Sequence, residues 1–287
     1  MYLIDEVVSF CDEEYRNHIC RGCENKTSCN NDCKICLDDL HYHTNNIRDD
    51  YSCEHLLDYY MCRYSYKYCS EIIYALRNID LSKYPYFNIL SLGCGGSPDL
   101  MAFDYINLVQ PIKYKGFDIN DSWEKIHDFI IDTCRELNID TEYYRNYDVL
   151  DFLKDGTIEG CNVIIIEYLI SFFYNTIGRR GLVEWFDQLA QQIVAYKTTD
   201  SPMLIIINDA DSIYVGRDCF PLIRNSIEKQ GIKVINEYRR RFRSHDYYNG
   251  STMYHSQMNC FEIPHYFGEK YKVAIRCEAA QLILEVE

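Results

Sequence analysis

Long apolar runs and basic residues are both scarce in this sequence of 287 residues. No apolar run reaches about 18 residues, so we expect no transmembrane helix and no membrane partner. The N-terminus, MYLIDEVVSFCDEEYRN, carries acids where a signal peptide needs basic residues, which predicts a cytoplasmic protein. The 29 Lys and Arg against 44 Asp and Glu give a net charge of −15. An acidic surface disfavours unspecific nucleic-acid binding, although a local basic patch can still bind RNA or DNA.

Internal repeats, low-complexity tracts and long Gly/Ser linkers are also missing. Hydrophobic residues make up 47% and charged residues 25%, the balance of a globular protein rather than a disordered one. The composition changes near Pro85. We therefore predict a small Cys-rich and helical module over 1–85 and an α/β domain over 86–287, packed together.

Apolar runs alternate with amphipathic stretches after residue 85. The expected helices begin near Asp99 and span Trp123–Leu137, Leu182–Tyr196 and Pro221–Gln230. The expected strands are Phe87–Leu92, Ile112–Phe117, Thr141–Tyr147, Asn162–Ile166, Met203–Ile207 and Lys233–Arg239, followed by runs near Cys260–Ile263 and Lys272–Leu284. This order predicts a doubly wound, mostly parallel sheet with an antiparallel C-terminal edge hairpin. Such a sheet binds its ligand at the carboxyl ends of its strands.

A glycine-rich turn, Gly93-Cys94-Gly95-Gly96, follows the first of these strands. A dinucleotide motif would need a third glycine at position 98, where the chain has Pro98, so a nicotinamide-dependent oxidoreductase is the weakest alternative. There is no Gly-Lys-Ser/Thr, which excludes a P-loop.

The strand, Gly-x-Gly turn and helix resemble motif I of class I S-adenosylmethionine-dependent methyltransferases, and the resemblance covers 86–287. It implies that the cofactor lies over Gly93, Cys94, Gly95 and Gly96. It also implies that Asp118, with Ile119 beside it, accepts from the ribose hydroxyls, and that Asp148 and the Val149 backbone contact the adenine. Glu167 would then face the methyl donor or the substrate. The family often has an acid two residues before the first glycine, where this chain has Ser91.

The residues after the fourth strand carry the information on the methyl acceptor. Glu167 and Tyr168 are the candidate catalytic residues, as a base or as groups that orient the acceptor. The chain has neither the Asp/Asn-Pro-Pro-Tyr motif nor the Pro-Cys pair of base methyltransferases, so the acceptor stays open among a small molecule, a protein and RNA. Each site residue also has a structural alternative: Asp118 as a helix cap, Asp148 as a turn residue, Glu167 as a buried paired acid and Tyr168 as a packing residue.

Two polar segments follow later in the sequence. Asn208-Asp209-Ala210-Asp211 ends the fifth strand at the same sheet edge, in a site or simply in a turn. Tyr238–Arg243 contains four arginines, which suit a phosphate or an acidic substrate. The alternative is an edge strand protected by charge.

Nine of the fifteen cysteines fall within residues 1–69. Clustering at short spacing in a chain without an export signal favours zinc ligation over disulfides. The candidate ligands, for one zinc ion or two, are Cys20, Cys23, Cys29, Cys33, Cys36, His41, His43 and Cys53. Incidental cysteines, disulfides or an iron–sulfur cluster are the alternatives. Cys62 and Cys69 are seven residues apart in a helix-like segment, which favours core packing.

Together these patterns predict a cytoplasmic methyltransferase that binds S-adenosylmethionine and carries an N-terminal zinc module. The net charge of this module is negative, which fits a protein-docking or lid role better than RNA binding. The alternative is a zinc-stabilised interaction protein whose methyltransferase fold is vestigial.

Overall fold

The computed structural model describes residues 1–18, 32–42, 51–152, 158–197, 201–212, 215–243, 247–249, 252–254 and 256–287. The helices are α1 Leu3–Asn17, α2 Cys33–Tyr42, α3 Glu54–Leu76, α4 Pro98–Tyr105, α5 Glu124–Glu136, α6 Val149–Phe152, α7 Ile170–Tyr196, α8 Phe220–Lys229 and α9 His265–Tyr271. The strands are β1 Phe87–Leu92, β2 Ile112–Phe117, β3 Asp140–Tyr144, β4 Val163–Glu167, β5 Met203–Asp209, β6 Val234–Arg241, β7 Tyr247–Asn249, β8 Thr252–Tyr254 and β9 Ala280–Val286.

A seven-stranded sheet in the order β3-β2-β1-β4-β5-β9-β6 forms the centre of the molecule. Strands β1 to β5 run parallel to one another, and β9 is antiparallel to both β5 and β6. The predicted α/β class, with a mostly parallel sheet that turns antiparallel at its C-terminal edge, is confirmed. In the doubly wound dinucleotide fold the sixth strand lies directly beside the fifth. Here β9 separates them.

Several predicted boundaries after residue 140 were wrong. Strand β3 ends at Tyr144 and not at Tyr147, because Asn146 takes a left-handed backbone with φ 59° that no strand accommodates. Cys260–Ile263 forms no strand, and the helix α9 follows it. The last strand of the sheet begins only at Ala280, and it lies inside the sheet instead of at its edge.

Helix α7 also differs from the prediction, since it begins twelve residues earlier, at Ile170. Gly178 interrupts it with a non-helical φ of 69° and ψ of 175°. A side chain at this position would be strained by the positive φ, so glycine is the residue that allows the bend. The bend separates a short first segment from the amphipathic segment that the sequence indicated.

The helices cover both faces of the sheet. One face packs against α1, α3, α4 and α5, and the other packs against α7 and α8. The core of the first face is continuous from α1 and α3 into β1, and Tyr84 stacks on Phe87 across the predicted joint at Pro85. Residues 1–85 therefore share a hydrophobic core with the α/β domain. Cys62 and Cys69 of α3 are buried in this core.

Within the described ranges, none of the helices combines the length and the apolar character that crossing a membrane would need.

Candidate functional site

The glycine-rich turn between β1 and α4 is held in place from both sides of Gly95. Its N–H donates to Asp118 Oδ2 at 2.8 Å, and its carbonyl lies 2.6 Å from Nε2 of His127. Burial lowers the pKa of His127 to about 4, so the neutral ring donates from Nε2 to this carbonyl. Gly93 and Gly95 have φ of 68° and 49°, the left-handed backbone that glycine adopts most easily. The turn is thus a fixed platform at the carboxyl end of β1.

Asp118 follows β2 directly and is anchored through both carboxylate oxygens. Oδ2 accepts from Gly95 as described, and Oδ1 accepts from the Asn120 N–H at 2.8 Å. Burial raises the pKa of Asp118, and these two backbone hydrogen bonds act in the opposite direction. A carboxylate can accept about four hydrogen bonds, and the described residues occupy two of these positions, which leaves two for a ligand diol as far as those residues are concerned. Ile119 beside it is 60% exposed, an apolar side chain facing solvent next to a polar anchor.

Side chains from α3 and from the segment before α5 cover the turn. A Cβ at Gly96 would lie 2.1 Å from the Met61 sulfur and 3.4 Å from the Trp123 ring, so the missing side chain at Gly96 makes room for Met61. Tyr60 contacts the same ring edge-on, with centroids 5.9 Å apart. The remaining cavity measures about 60 Å³ and is lined by Tyr60, Met61, Ser65, Tyr68, Gly93, Cys94, Gly95, Gly96, Pro98, Glu167 and Tyr168. Cavities that hold whole cofactors are usually about 300–1,000 Å³.

A buried acid lies beside the position where the family pattern has one. Asp99, at the start of α4, is 1% exposed and accepts from the Tyr114 hydroxyl at 3.0 Å. Burial raises the pKa of Asp99 to about 6, against a hydrogen bond from Ser91 that lowers it. Ser91 replaces the expected acid in sequence, and Asp99 brings a carboxylate to Ser91 from the other side of the turn.

Asp148 and Val149 occupy structural positions at the start of α6. Asp148 Oδ1 accepts from the Leu150 N–H at 2.8 Å, the capping geometry of the turn alternative. Val149 is buried, and its carbonyl accepts from the Trp185 indole at 3.1 Å. The second oxygen of Asp148 has no hydrogen bond to the described residues, so an adenine contact stays a prediction.

Glu167 ends β4 inside a group of buried acids. Asn208 donates to its Oε1 at 3.1 Å, and Gln281 donates to the Asn208 amide oxygen at 2.8 Å. Burial first, and then the neighbouring Asp99 and Glu71 carboxylates, hold the pKa of Glu167 well above its usual range. Glu167 therefore carries a proton over a wider pH range than an exposed glutamate.

Tyr168, the next residue, has the left-handed backbone φ of 54°, which is rare for a bulky side chain. Its hydroxyl accepts from Lys67 at 3.1 Å and lies 2.8 Å from Glu71 Oε2 and 3.1 Å from the Glu278 carbonyl. Lys67 also lies over the Tyr68 and Tyr168 rings. The two catalytic candidates are thus held by α3 and the start of β9 as well as by the sheet.

The polar segment after β5 divides between two roles. Asn208 joins the Glu167 network, whereas Asp209 accepts from the N–H groups of Ser171 and Ala210, which caps α7. Asp211 pairs with Arg217 and Arg241. Asn208 is therefore the member of this segment that contacts a candidate catalytic residue.

The zinc candidates fall on both sides of the described boundary. Cys20, Cys23, Cys29 and His43 lie outside the described residues, as does the side chain of His41. Cys33 and Cys36 lie on the first turn of α2 and are buried, and Cys53 precedes α3. Among the residues that the structure describes, no group of three or more His, Cys, Asp or Glu is placed to hold a metal.

Sequence reasoning missed the residues that position the turn and its surroundings: Met61, Lys67, Glu71, Asp99 and His127. His127 and Lys67 carried a weak signal, since each is a polar residue on the buried side of an amphipathic helix. The other three contact the site only through tertiary packing, which single-sequence patterns do not encode.

Comparisons with known proteins find similar folds but no similar sequences. No family model matches the chain, and no curated protein matches it. The fold is similar to an O-methyltransferase family protein from Burkholderia thailandensis, at 9% identity and a TM-score of 0.45, covering 98% of this chain and 71% of that one. It is also similar to the plantazolicin methyltransferase BpumL in complex with SAH, at 11% identity and a TM-score of 0.40, covering 96% and 99%. A SAM-dependent methyltransferase from Archaeoglobus fulgidus aligns at 12% identity and a TM-score of 0.39, covering 76% and 94%. At these values the likeness defines neither cofactor nor substrate for this chain.

Proposed function

We propose that this protein transfers a methyl group from S-adenosylmethionine to an acceptor that is not yet identified. The observation that carries the proposal is the Asp118 carboxylate, fixed at 2.8 Å from both the Gly95 and Asn120 N–H groups at the carboxyl edge of the sheet. A carboxylate held beside the glycine turn has two oxygens that can accept from the two hydroxyls of a ribose. The exposed Ile119 offers an apolar surface for the attached base.

The fit to this cofactor differs between its two ends. The polar groups at Asp118 suit the ribose, but Met61 and Tyr60 fill the space over Gly96 where the methionine end would lie. Methionine is unbranched and flexible, so a rotamer change of Met61 opens this space at low cost. When bound, the cofactor supplies an electrophilic methyl group on a sulfonium. The residues of this chain then only align the acceptor and manage its proton.

Glu167 is the proposed proton acceptor, and Tyr168 the residue that orients the methyl acceptor. Burial, and then the neighbouring Asp99 and Glu71 carboxylates, raise the pKa of Glu167, so its ionised form is a stronger base than the carboxylate of an exposed glutamate. Tyr168 presents a hydroxyl already positioned by Lys67 and Glu71. This arrangement suits an acceptor hydroxyl or amine that loses a proton during transfer.

The N-terminal zinc module remains part of the proposal. Cys33 and Cys36 are three residues apart on the first turn of α2, and the Cys-x-x-Cys spacing is common among paired zinc ligands. We propose that they bind zinc together with Cys20 and Cys23. Metal analysis of the purified protein tests this, and a metal content near zero in folded protein contradicts it.

Calorimetric titration with S-adenosylmethionine and S-adenosylhomocysteine tests the cofactor. We expect the parent protein to bind with micromolar affinity. Asp118→Ala should lose about 1.5–3 kcal/mol of binding free energy, because a charge-assisted hydrogen bond to the ligand disappears. Asp121→Ala is the matched control, since it removes an exposed acid three residues away. Both variants are first compared with the parent protein by melting temperature. Equal binding by the parent protein and Asp118→Ala would refute the role of Asp118.

A second candidate function has its own observation. The cavity of about 60 Å³ over the glycine turn is too small for a nucleoside cofactor as it stands. This favours an interaction protein that keeps the fold without the cofactor. Failure of both the parent protein and Met61→Ala to bind S-adenosylhomocysteine would select this function.

A further inference from the structure

A second and much larger cavity lies beside the last strands of the sheet, mainly on the side of α7 and α8. Its volume is about 680 Å³, and it lies among the first segment of α7, the start of α8 and the edge strand β6. Five arginines and one acid are among its lining residues, together with the aromatic and apolar side chains of Tyr174, Phe220 and Pro221. The arginines are Arg179, Arg217, Arg239, Arg240 and Arg241.

The arginines come from three different elements. Arg239 and Arg241 alternate on β6 and share one face, whereas the Arg240 guanidinium lies on the α3 side, against the Tyr74 carbonyl and Asn78. Arg217 precedes α8, and Arg179 directly follows the bend at Gly178. Protection of an edge strand needs charge on that strand alone. Arg179 and Arg217 lie on other elements and line the same cavity as the β6 arginines, so protection of the edge strand does not explain them.

Two of these guanidinium groups are fixed by one shared acid. Asp211 accepts from Arg241 Nε at 2.9 Å and from Arg241 Nη2 at 2.8 Å, and it pairs with Arg217 as well. Arg239 pairs with Glu237 at 2.5 Å. A shared carboxylate orients both guanidinium groups before a ligand arrives, which lowers the entropy lost on binding.

Arg179 is an arginine of this cavity that none of these acids pairs with. Within the described ranges it makes no ion pair and no hydrogen bond, and its side chain is exposed at the cavity. Four arginine side chains thus face three acids, namely Asp211, Asp218 and Glu237. The local balance is positive in a chain whose net charge is −15. An anion that enters this cavity meets a guanidinium group that no carboxylate of the described residues pairs with.

We propose that this cavity binds a small anionic molecule that carries a phosphate or several carboxylates. Planar guanidinium groups match both oxyanions with paired N–H donors. The volume is that of a small-molecule site, and a chain this acidic disfavours the long phosphate backbone of a nucleic acid. The apolar side chains of Tyr174 and Phe220 suit an organic part attached to the anion.

The position of the cavity links it to the methyl-transfer site. Its arginines on β6 lie three strands from Glu167 at the same edge of the sheet, a distance of about 14 Å at the usual strand spacing. If the proposed function holds, the anion is one end of the methyl acceptor and the cavity anchors it at that distance. This assignment rests on the proposed function, whereas the anion site itself does not.

Calorimetric titration without cofactor tests the site, with pyrophosphate, citrate and a short single-stranded RNA as probes. We expect pyrophosphate or citrate to bind, which also separates a phosphate from a carboxylate ligand. Arg179→Gln should weaken this binding at least tenfold, a change of about 1.4 kcal/mol. Arg180→Gln is the matched control, because Arg180 is 92% exposed and pairs with Glu184 on the outer surface, and its affinity should stay within about twofold.

Three results would overturn the site: no binding of either small anion up to about 10 mM, equal weakening by Arg180→Gln, or binding of the RNA alone in an Arg179-dependent way. Unchanged melting temperatures of the two variants keep the comparison valid. Anion binding by a protein that fails to bind S-adenosylhomocysteine would keep the site and remove only its assignment to a methyl acceptor.

Discussion

Replacement of the buried acid by its neutral analogue, Asp99→Asn, should stabilise the protein at neutral pH. The folded protein holds the pKa of Asp99 at about 6 against an ordinary value of 3.8, chiefly because the side chain is buried. One carboxylate oxygen, Oδ2, has no hydrogen-bond partner among the described residues, and Oδ1 accepts from the Tyr114 hydroxyl at 3.0 Å. Asparagine keeps that acceptor and removes the charge.

The expected magnitude follows from this pKa. Above pH 3.8 the unfolded chain releases the proton first, so the wild-type protein loses stability as the pH rises through about 6. A pKa difference of about 2 corresponds to about 3 kcal/mol of unfolding free energy. The stability of Asp99→Asn relative to the wild-type protein should therefore rise by about 3 kcal/mol between about pH 4 and pH 8. The substitution also removes the repulsion between the Asp99 and Glu167 carboxylates, which adds to the stability gained at high pH.

Urea unfolding followed by circular dichroism at several pH values measures this difference. A reducing agent in all samples prevents disulfide formation between the free cysteines during unfolding. Asp121→Asn, an exposed acid, is the control and should show a constant difference across the range. A difference for Asp99→Asn that stays within about 0.5 kcal/mol from pH 4 to pH 8 would refute the buried, high-pKa assignment.

Three other predictions concern Met61 over the glycine turn, the Lys67–Glu71 pair of α3 and the N-terminal cysteines. Met61→Ala should lower stability by about 2–5 kcal/mol, because a buried side chain leaves a cavity, yet bind S-adenosylhomocysteine more tightly by calorimetry, since the space over Gly96 opens. Lys67→Met should destabilise by about 3–5 kcal/mol in urea unfolding, because it leaves the buried Glu71 carboxylate without its cation. A chelator should lower the melting temperature, because zinc bound to the N-terminal cysteines stabilises the folded protein. Equal melting temperatures with and without chelator, in a protein that metal analysis shows to be metal-free, would contradict the zinc proposal.

The sheet was largely predictable because its signals are local. The run FNILSL is mostly apolar and IKYKGF begins by alternating apolar and charged residues, and the two runs match β1 and β2 residue for residue. The glycine turn and Asp118 follow directly from them. The end of β3 was not predictable from apolar pattern alone, since Tyr147 continues the pattern while the backbone of Asn146 breaks the strand.

The surroundings of the site were not predictable, because they depend on contacts between distant residues. Met61 reaches Gly96 and His127 reaches Gly95 only after α3 and α5 have packed on the sheet. Asp99 reads in sequence as an ordinary first-turn acid of a helix. Its burial against Tyr114 and Ser91 depends on the pairing of β1 with β2.

The position of β9 has a consequence for the order in which the sheet assembles. This strand comes later in the chain than β6 but lies between β5 and β6, so neither can complete its pairing during synthesis until residues 280–286 have been made. Until then β5, with the run MLIII, presents an unpaired and very apolar edge, the kind that pairs with other chains. We therefore expect a growing chain to be most prone to aggregation in the interval after β5 has been made and before β9 pairs with it.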